Sequence, residues 1–358
     1  MTQAIQPLPE LESGPLVRAA GLAYLVFAKK HLARQKKFME NFGLVPLLLN
    51  DDVLYMRGHD DRFYCYRCER GNTNGLTALG FELGSEADLL TVAQKFKATV
   101  ETLAWPEAHQ RVTVTDPNGL RVELIWRPQA AARMPTLSSE ILRPRREGME
   151  VRPPLQPSRV RRLGHVVLDV FDFPQSVRWY REHLGLLPSD VLCLDSGEPV
   201  VAFMRLDRGE TPTEHHTLVL SCNMQVGCNH SAYQVSSLDD MAMGQQVLIK
   251  EGWRHLWGMG RHLLGSQIFD YWRDPSGEVV EHYLDSDHYT ASKATTYHRL
   301  SSEGLYQWGP NVPGGFGLPR LDLQKLKRLS AALWRGDVGL TRLLQMKKQM
   351  SAPAKPWL

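Results

Sequence analysis

The stretch Asp116-Pro117-Asn118-Gly119-Leu120-Arg121-Val122-Glu123 is nearly repeated as Asp274-Pro275-Ser276-Gly277-Glu278-Val279-Val280-Glu281. The chain therefore contains two copies of whatever unit ends in that turn and strand. Each copy has an earlier segment that opens with Gly and alternates apolar residues, Gly21-Leu22-Ala23-Tyr24-Leu25-Val26-Phe27 and Gly164-His165-Val166-Val167-Leu168-Asp169-Val170. A period of two is that of a half-buried strand. An alternating strand followed by a helical pattern recurs near Leu16, Leu76, Leu163 and Asn229, so each half divides again.

The helices are read from their ends. Ser85-Glu86-Ala87-Asp88 and Ser237-Leu238-Asp239-Asp240 fit the Ser-x-x-acid start, and Pro174 suits a first turn. Gly43 and Gly185 stand where helices should stop. Short strands follow, such as Leu192 to Asp195 before Gly197 and Val200 to Leu206 before Gly209. The expected fold is α+β: four βαβββ modules forming two similar domains, each an incomplete barrel around a pocket.

With 358 residues, 43% of them hydrophobic, the chain has length for two cores. The expected layout is an N-terminal tail over 1–14, a non-catalytic repeat domain over 15–127, a linker over 128–160, a metal-binding repeat domain over 161–288 and a C-terminal extension over 289–358. The linker carries prolines and Arg143, Arg145 and Arg146, read as a solvated charge run. The extension holds an amphipathic helix pattern from Leu321 to Leu329 that ends near Trp334, expected to pack on the second half or on another subunit. A net charge of +3 gives no electrostatic footprint for nucleic acid. No apolar run reaches the roughly 18 residues of a membrane span, and Met1 to Glu12 has no signal-peptide core, so a soluble, cytoplasmic protein is expected. Cys65 and Cys68 lack a second pair to complete a zinc site and are read as reduced strand residues.

Set against each other, the copies carry Leu22 opposite His165, Ala78 opposite His230 and Glu123 opposite Glu281. Two imidazoles and a carboxylate on one face of an octahedron leave positions open, a set that suits Fe(II) handling O₂ and an organic substrate. Taken singly the residues say little. A lone strand histidine is more often a hydrogen-bonded core residue, and Glu123 shows the glutamate persisting without the histidines.

Further along, Gly260-Arg261-His262 is followed by Asp270-Tyr271-Trp272-Arg273-Asp274-Pro275-Ser276-Gly277 and then Glu281, while Glu214-His215-His216-Thr217-Leu218 lies upstream of His230. In this order of His, Tyr, acid-Pro-x-Gly turn and Glu, the chain from about residue 15 to 290 resembles the type I extradiol ring-cleaving dioxygenases of the vicinal oxygen chelate superfamily. The resemblance implies that His165, His230 and Glu281 bind Fe(II), with Mn(II) accepting the same ligands. It implies that His216 is the acid/base residue and that His262 and Tyr271 contact substrate oxygens. It further implies that a catechol-like or trihydroxylated aromatic is cleaved beside its diol, with O₂ as co-substrate and no organic cofactor.

The expected partners are a small aromatic diol and further copies of the chain in a homo-oligomer, with neither nucleic acid nor membrane. Several points stay open in the residues themselves. His215 is an alternative to His216, because adjacent strand residues point to opposite sides. Asp270 stands where the family usually has an apolar residue, and lies either outside the barrel or in the pocket against an extra ring substituent. His255, His282 and His288 are read as surface or supporting residues. Tyr306, Trp308 and Phe316 either help close the site or are simple packing. The rival readings are a glyoxalase-type isomerase or lyase using Zn or Ni, and a ligand-binding protein without chemistry.

Overall fold

The computed structural model describes residues 3–135, 148, 152, 154–314, 316, 323–337 and 339–350. The three linker arginines lie outside the described residues. The first module runs β1 (Ala19–Lys29), α1 (Leu32–Phe42), β2 (Val45–Leu49), β3 (Val53–Arg57) and β4 (Tyr66–Arg70). The second runs β5 (Gly75–Leu83), α2 (Glu86–Phe96), β6 (Val100–Thr102), β7 (Gln110–Thr115) and β8 (Arg121–Trp126). The third is β9 (Arg162–Val170), α3 (Phe173–Leu184), β10 (Leu187–Cys193), β11 (Pro199–Arg205), a two-residue β12 (Thr213–Glu214) and β13 (Leu218–Cys222). The fourth is β14 (Gly227–Gln234), α4 (Leu238–Lys250), β15 (Arg254–Arg261), β16 (Ile268–Arg273) and β17 (Val279–Leu284).

Each pair of modules joins edge to edge through its opening strands. The first sheet has the order β2-β3-β4-β1-β5-β8-β7-β6, and the second places β15-β16-β17-β14 against β9-β13-β11-β10. The α+β fold of four βαβββ modules is therefore as expected. The helix ends follow their sequence signals: Ser85 accepts from the Asp88 amide and Ser237 from the Asp240 amide, while Gly43 and Gly185 close their helices in left-handed conformation. Asp172 caps α3, and Pro174 stands in its first turn as expected.

The repeated turns lock the two halves together. Asp274 is buried against the first half, where its Oδ2 accepts from Lys29 Nζ at 2.6 Å and from Gln35 Nε2 at 3.0 Å. In the reciprocal contact, Asp116 Oδ2 accepts from Tyr180 Oη at 3.1 Å. His282 is buried at this seam too, its ring stacked 3.7 Å from that of Phe42 and its Nε2 donating to the Phe42 carbonyl at 2.6 Å. Because Lys29 and Asp274 are only 2% and 1% exposed at their side chains, removing one partner strands a buried charge. Lys29→Met is expected to lower stability by about 3 kcal/mol, checked by the urea midpoint at constant m.

The extension builds onto the second half. Strand β18 (His288–Tyr289) pairs with β12, and β19 (Thr296–Arg299) runs parallel beside β10. Two helices follow, α5 (Leu323–Arg335) and α6 (Leu340–Met350). Leu329, Leu343, Met346 and Met350 pack on the core, and Arg342 pairs with Glu198. The extension thus covers the second half of its own chain. The N-terminal tail crosses the same hairpin, with Gln3 and Gln6 amides donating to Asp195 and Gly197 carbonyls.

Burial pushes the Cys65 and Cys68 thiols up to about 12, which leaves them inert. Among the described residues no helix is long and apolar enough to cross a membrane.

Candidate metal centre

Strands β9, β14 and β17 lie side by side in the second sheet, and each aims one polar side chain at the same point. His165, His230 and Glu281 are buried, and one potential ligand atom from each lies within 4.8 Å of the others. His165 Nε2 is 3.3 Å and His230 Nε2 is 3.4 Å from Glu281 Oε2. Donors bound about 2.1 Å from one ion at right angles would stand about 3 Å apart, so this spacing needs little adjustment to hold one. Among the described residues, neither oxygen of the fully buried Glu281 finds a hydrogen bond of normal geometry. A bare carboxylate in a dry core is costly, and a divalent ion is the partner its surroundings lack.

The chemistry of the donors agrees. His230 Nδ1 lies 3.0 Å from Asn229 Oδ1, which can only accept, so the proton sits on Nδ1 and the Nε2 lone pair faces the cluster. Burial lowers the His230 pKa to about 3, keeping the imidazole neutral as a ligand must be. Burial alone would raise the pKa of Glu281, but the neighbouring His165 and His262 hold it well below the usual carboxylate range. Gly164 makes room for this packing, since a Cβ there would fall 1.9 Å from Tyr283 Oη, whose ring lies 5.2 Å from that of His165. Gly164→Ala is expected to cost about 1–3 kcal/mol and to lower metal occupancy, read by melting and by metal analysis.

Around the cluster stand the other expected site residues. His216 is 4% exposed, with its ring 4.2 Å from that of His165. Burial, and after it the surrounding imidazoles, lower its pKa well below the ordinary histidine value. His215 and His216 lie in the bend between β12 and β13 rather than on a strand, and their Nδ1 atoms meet at 2.8 Å. The choice between them is thus replaced by a pair, in which His216 faces His165 and His215 backs it.

On the opposite side, Tyr271 Oη lies 2.9 Å from His262 Nε2, and His262 Nδ1 donates to the Leu305 carbonyl of the extension. Trp257, Phe269 and Tyr306 form a buried aromatic wall with Tyr271, and Phe316 meets Tyr271 edge-on at 5.3 Å. Trp308 stays 41% exposed and only bridges Arg261 through the backbone.

Asp270 lies outside this group. It is fully buried and accepts from His255 Nε2 at 2.7 Å, Trp272 Nε1 at 2.7 Å and Gln245 Nε2 at 3.1 Å, so it is occupied without any ring substituent. His255 is thus a supporting residue, and His288 is an exposed one whose ring meets the Ser286 carbonyl. His282, read from sequence as surface or supporting, is a buried seam residue instead.

The first half corrects one alignment. Strand register pairs Ala78 with Val26 and His230 with Val167, and pairs Tyr24 with Gly80 as His165 pairs with Ala232. The counterpart of His165 is therefore Tyr24, not Leu22. Tyr24 Oη donates to Glu123 Oε2 at 2.6 Å. Glu123 also pairs with Arg121 at 2.8 Å and Arg111 at 3.2 Å, so guanidinium groups stand where the second half offers space for a metal.

Paired βαβββ modules with a buried two-histidine, one-carboxylate cluster define the vicinal oxygen chelate class. Residues 162–282 match the family described as glyoxalase/bleomycin resistance protein/dioxygenase superfamily. The chain is 30% identical over 290 residues to metapyrocatechase 2 of Cupriavidus necator, covering 80% of this chain and 87% of that one. It is 26% identical over 274 residues to a biphenyl-2,3-diol 1,2-dioxygenase of Metapseudomonas furukawaii, covering 73% and 84%. In fold it is similar to homoprotocatechuate 2,3-dioxygenase of Brevibacterium fuscum, with a TM-score of 0.70 at 16% identity over 89% of this chain and 87% of that one. It is also similar in fold to a Mn(II)-bound glyoxalase of Novosphingobium aromaticivorans, with a TM-score of 0.71 at 22% identity over 85% and 95%. The chain belongs to the extradiol ring-cleaving dioxygenases of this superfamily.

Proposed function

We propose that this enzyme opens a catechol-type ring beside its two hydroxyls with O₂, using a metal held by His165, His230 and Glu281. The observation that carries the reading is the convergence of two imidazole nitrogens and an otherwise unpartnered carboxylate at one buried point. Fe(II) is the proposed ion and Mn(II) the alternative, since both accept this donor set. Bound there, the ion would acidify a chelating diol and bring it together with O₂. The chain's own groups then divide the work. His216, kept neutral by burial, takes a proton from the diol and later returns it. Tyr271 and His262, hydrogen-bonded to each other, offer polar contact to the ring oxygens. The wall of Trp257, Phe269, Tyr306 and Phe316 keeps water from the ring. The first half, with Tyr24 and Ala78 in place of the histidines, is proposed as non-catalytic. Homo-oligomerisation is carried into the proposal and is read from solution mass by light scattering.

The test is anaerobic loading with Fe(II) or Mn(II), followed by O₂ uptake with catechol, 3- and 4-substituted catechols and a trihydroxybenzene. One O₂ consumed per ring with a yellow product is expected from at least one metal. Tight metal binding with no O₂ uptake on any diol would overturn it.

A further inference from the structure

The assignment of His216 as the proton carrier leaves three buried or half-buried groups behind it without a task. His215 Nε2 lies 2.6 Å from Asp190 Oδ2, while its Nδ1 lies 2.8 Å from His216 Nδ1. The other oxygen of Asp190, Oδ1, is 2.8 Å from His298 Nε2. His298 stands on β19, in the extension, and reaches Asp190 because β19 runs parallel beside β10. Burial would raise the pKa of Asp190, but hydrogen bonds from His215 and His298 hold it below the ordinary value, so it stays a carboxylate.

The protons along this line follow from the carboxylate end. A carboxylate only accepts, so a neutral His215 carries its hydrogen on Nε2 and presents a bare Nδ1. That bare nitrogen accepts from His216, which places the His216 hydrogen on Nδ1 and leaves its Nε2 as a lone pair. The environment is closed on the remaining sides. Phe203 packs its ring 5.5 Å from that of His215, and Tyr289 lies 5.9 Å from it. The His215 amide donates to the Asp287 carbonyl, and its carbonyl accepts from Ser189 Oγ. Arg205, also buried, donates to Ser189 Oγ and to the Pro188 carbonyl beside Asp190.

We propose that Asp190, held by His298, acts through His215 as a positioning residue that fixes His216 in the tautomer with a bare Nε2. In that state His216 can take a proton from the diol: the O–H bond breaks and leaves its electron pair on oxygen, an Nε2–H bond forms to give the imidazolium, and nothing is oxidised or reduced. The inference rests on the acid/base reading of His216, and it assigns the extension a part in the chemistry through His298.

Two measurements separate this from the reading beneath it. Nitrogen-15 NMR of the full chain with labelled histidine, loaded with diamagnetic Zn(II), reads the tautomers without turnover. The expected result is His216 protonated on Nδ1 and His215 on Nε2, with the His215 pattern lost in Asp190→Asn. A wild-type His216 protonated on Nε2 would overturn the proposal whether or not any diol is turned over. In the enzyme loaded with its active metal, Asp190→Asn should lower kcat by at least about tenfold while the KM for the diol moves by less than about threefold. The half-exposed His298→Ala should show a smaller fall of the same kind. Wild-type kcat in both variants would overturn the positioning role, whereas a wild type that consumes no O₂ with any diol would instead overturn the dioxygenase reading.

Discussion

His230→Ala is expected to abolish O₂ uptake with every diol and to leave the protein without stoichiometric metal. The side chain supplies one of three donors, and its lone pair is aimed by Asn229. Losing a group that merely orients a ligand costs about 10–100-fold in metal affinity or activity, so losing the ligand itself should exceed about 100-fold. His165 and Glu281 remain, but a histidine and a carboxylate do not retain a labile divalent ion through purification. The fold should survive, because the hydrogen-bond partner that the substitution leaves, Asn229, is only half-buried. Metal analysis alongside an oxygen electrode checks the prediction. Retention of both metal and turnover would move the centre elsewhere.

The second large effect is expected at a residue outside the donor group. His216→Gln should keep its metal and its affinity for the diol while kcat falls by about 10²–10⁴-fold, the range that positioned proton transfer contributes. Its pKa, lowered by burial, makes the free base the form present near neutral pH, so a neutral amide preserves charge and approximate size while removing the basic nitrogen. Steady-state kinetics together with metal analysis distinguish this from a ligand loss, which would take metal and turnover together.

Much of this molecule is legible in its sequence, and the parts that are not share a physical cause. The duplicated turn and the Ser85 and Ser237 caps are local signals, so module number and helix ends came directly from the chain. The grouping of His165, His230 and Glu281 was readable because strand alternation and duplication specify which residues share a face. The partner of His165 was misassigned by two residues across a bulge: Leu22 pairs with Phe81 and packs in the main core, whereas Tyr24 pairs with Gly80 and packs in the smaller cluster with Val26 and Ala78. The first sheet has an irregular register between Leu22 and Tyr24, which a gapless comparison of glycine-led segments passes over. Asp190 and His298 carried no signal, since their meeting depends on an extension strand docking beside β10 more than 100 positions away. Asp270 left two possibilities, and only the placement of His255, Trp272 and Gln245 around it decides between them.

The arginines around Glu123 make the first half self-sufficient. Its buried carboxylate is neutralised by Arg111 and Arg121, cations that are covalently part of the chain and present at every concentration of free metal. The second half must draw its counter-charge from solution. Metal starvation would therefore act on the halves unequally, loosening the second around Glu281 while the first remains a folded platform to which it is clamped through Lys29 and Asp274. The same arrangement forbids a simple reversal. Writing histidines at positions 24 and 78 would not create a second centre until the guanidinium groups already occupying its charge were removed.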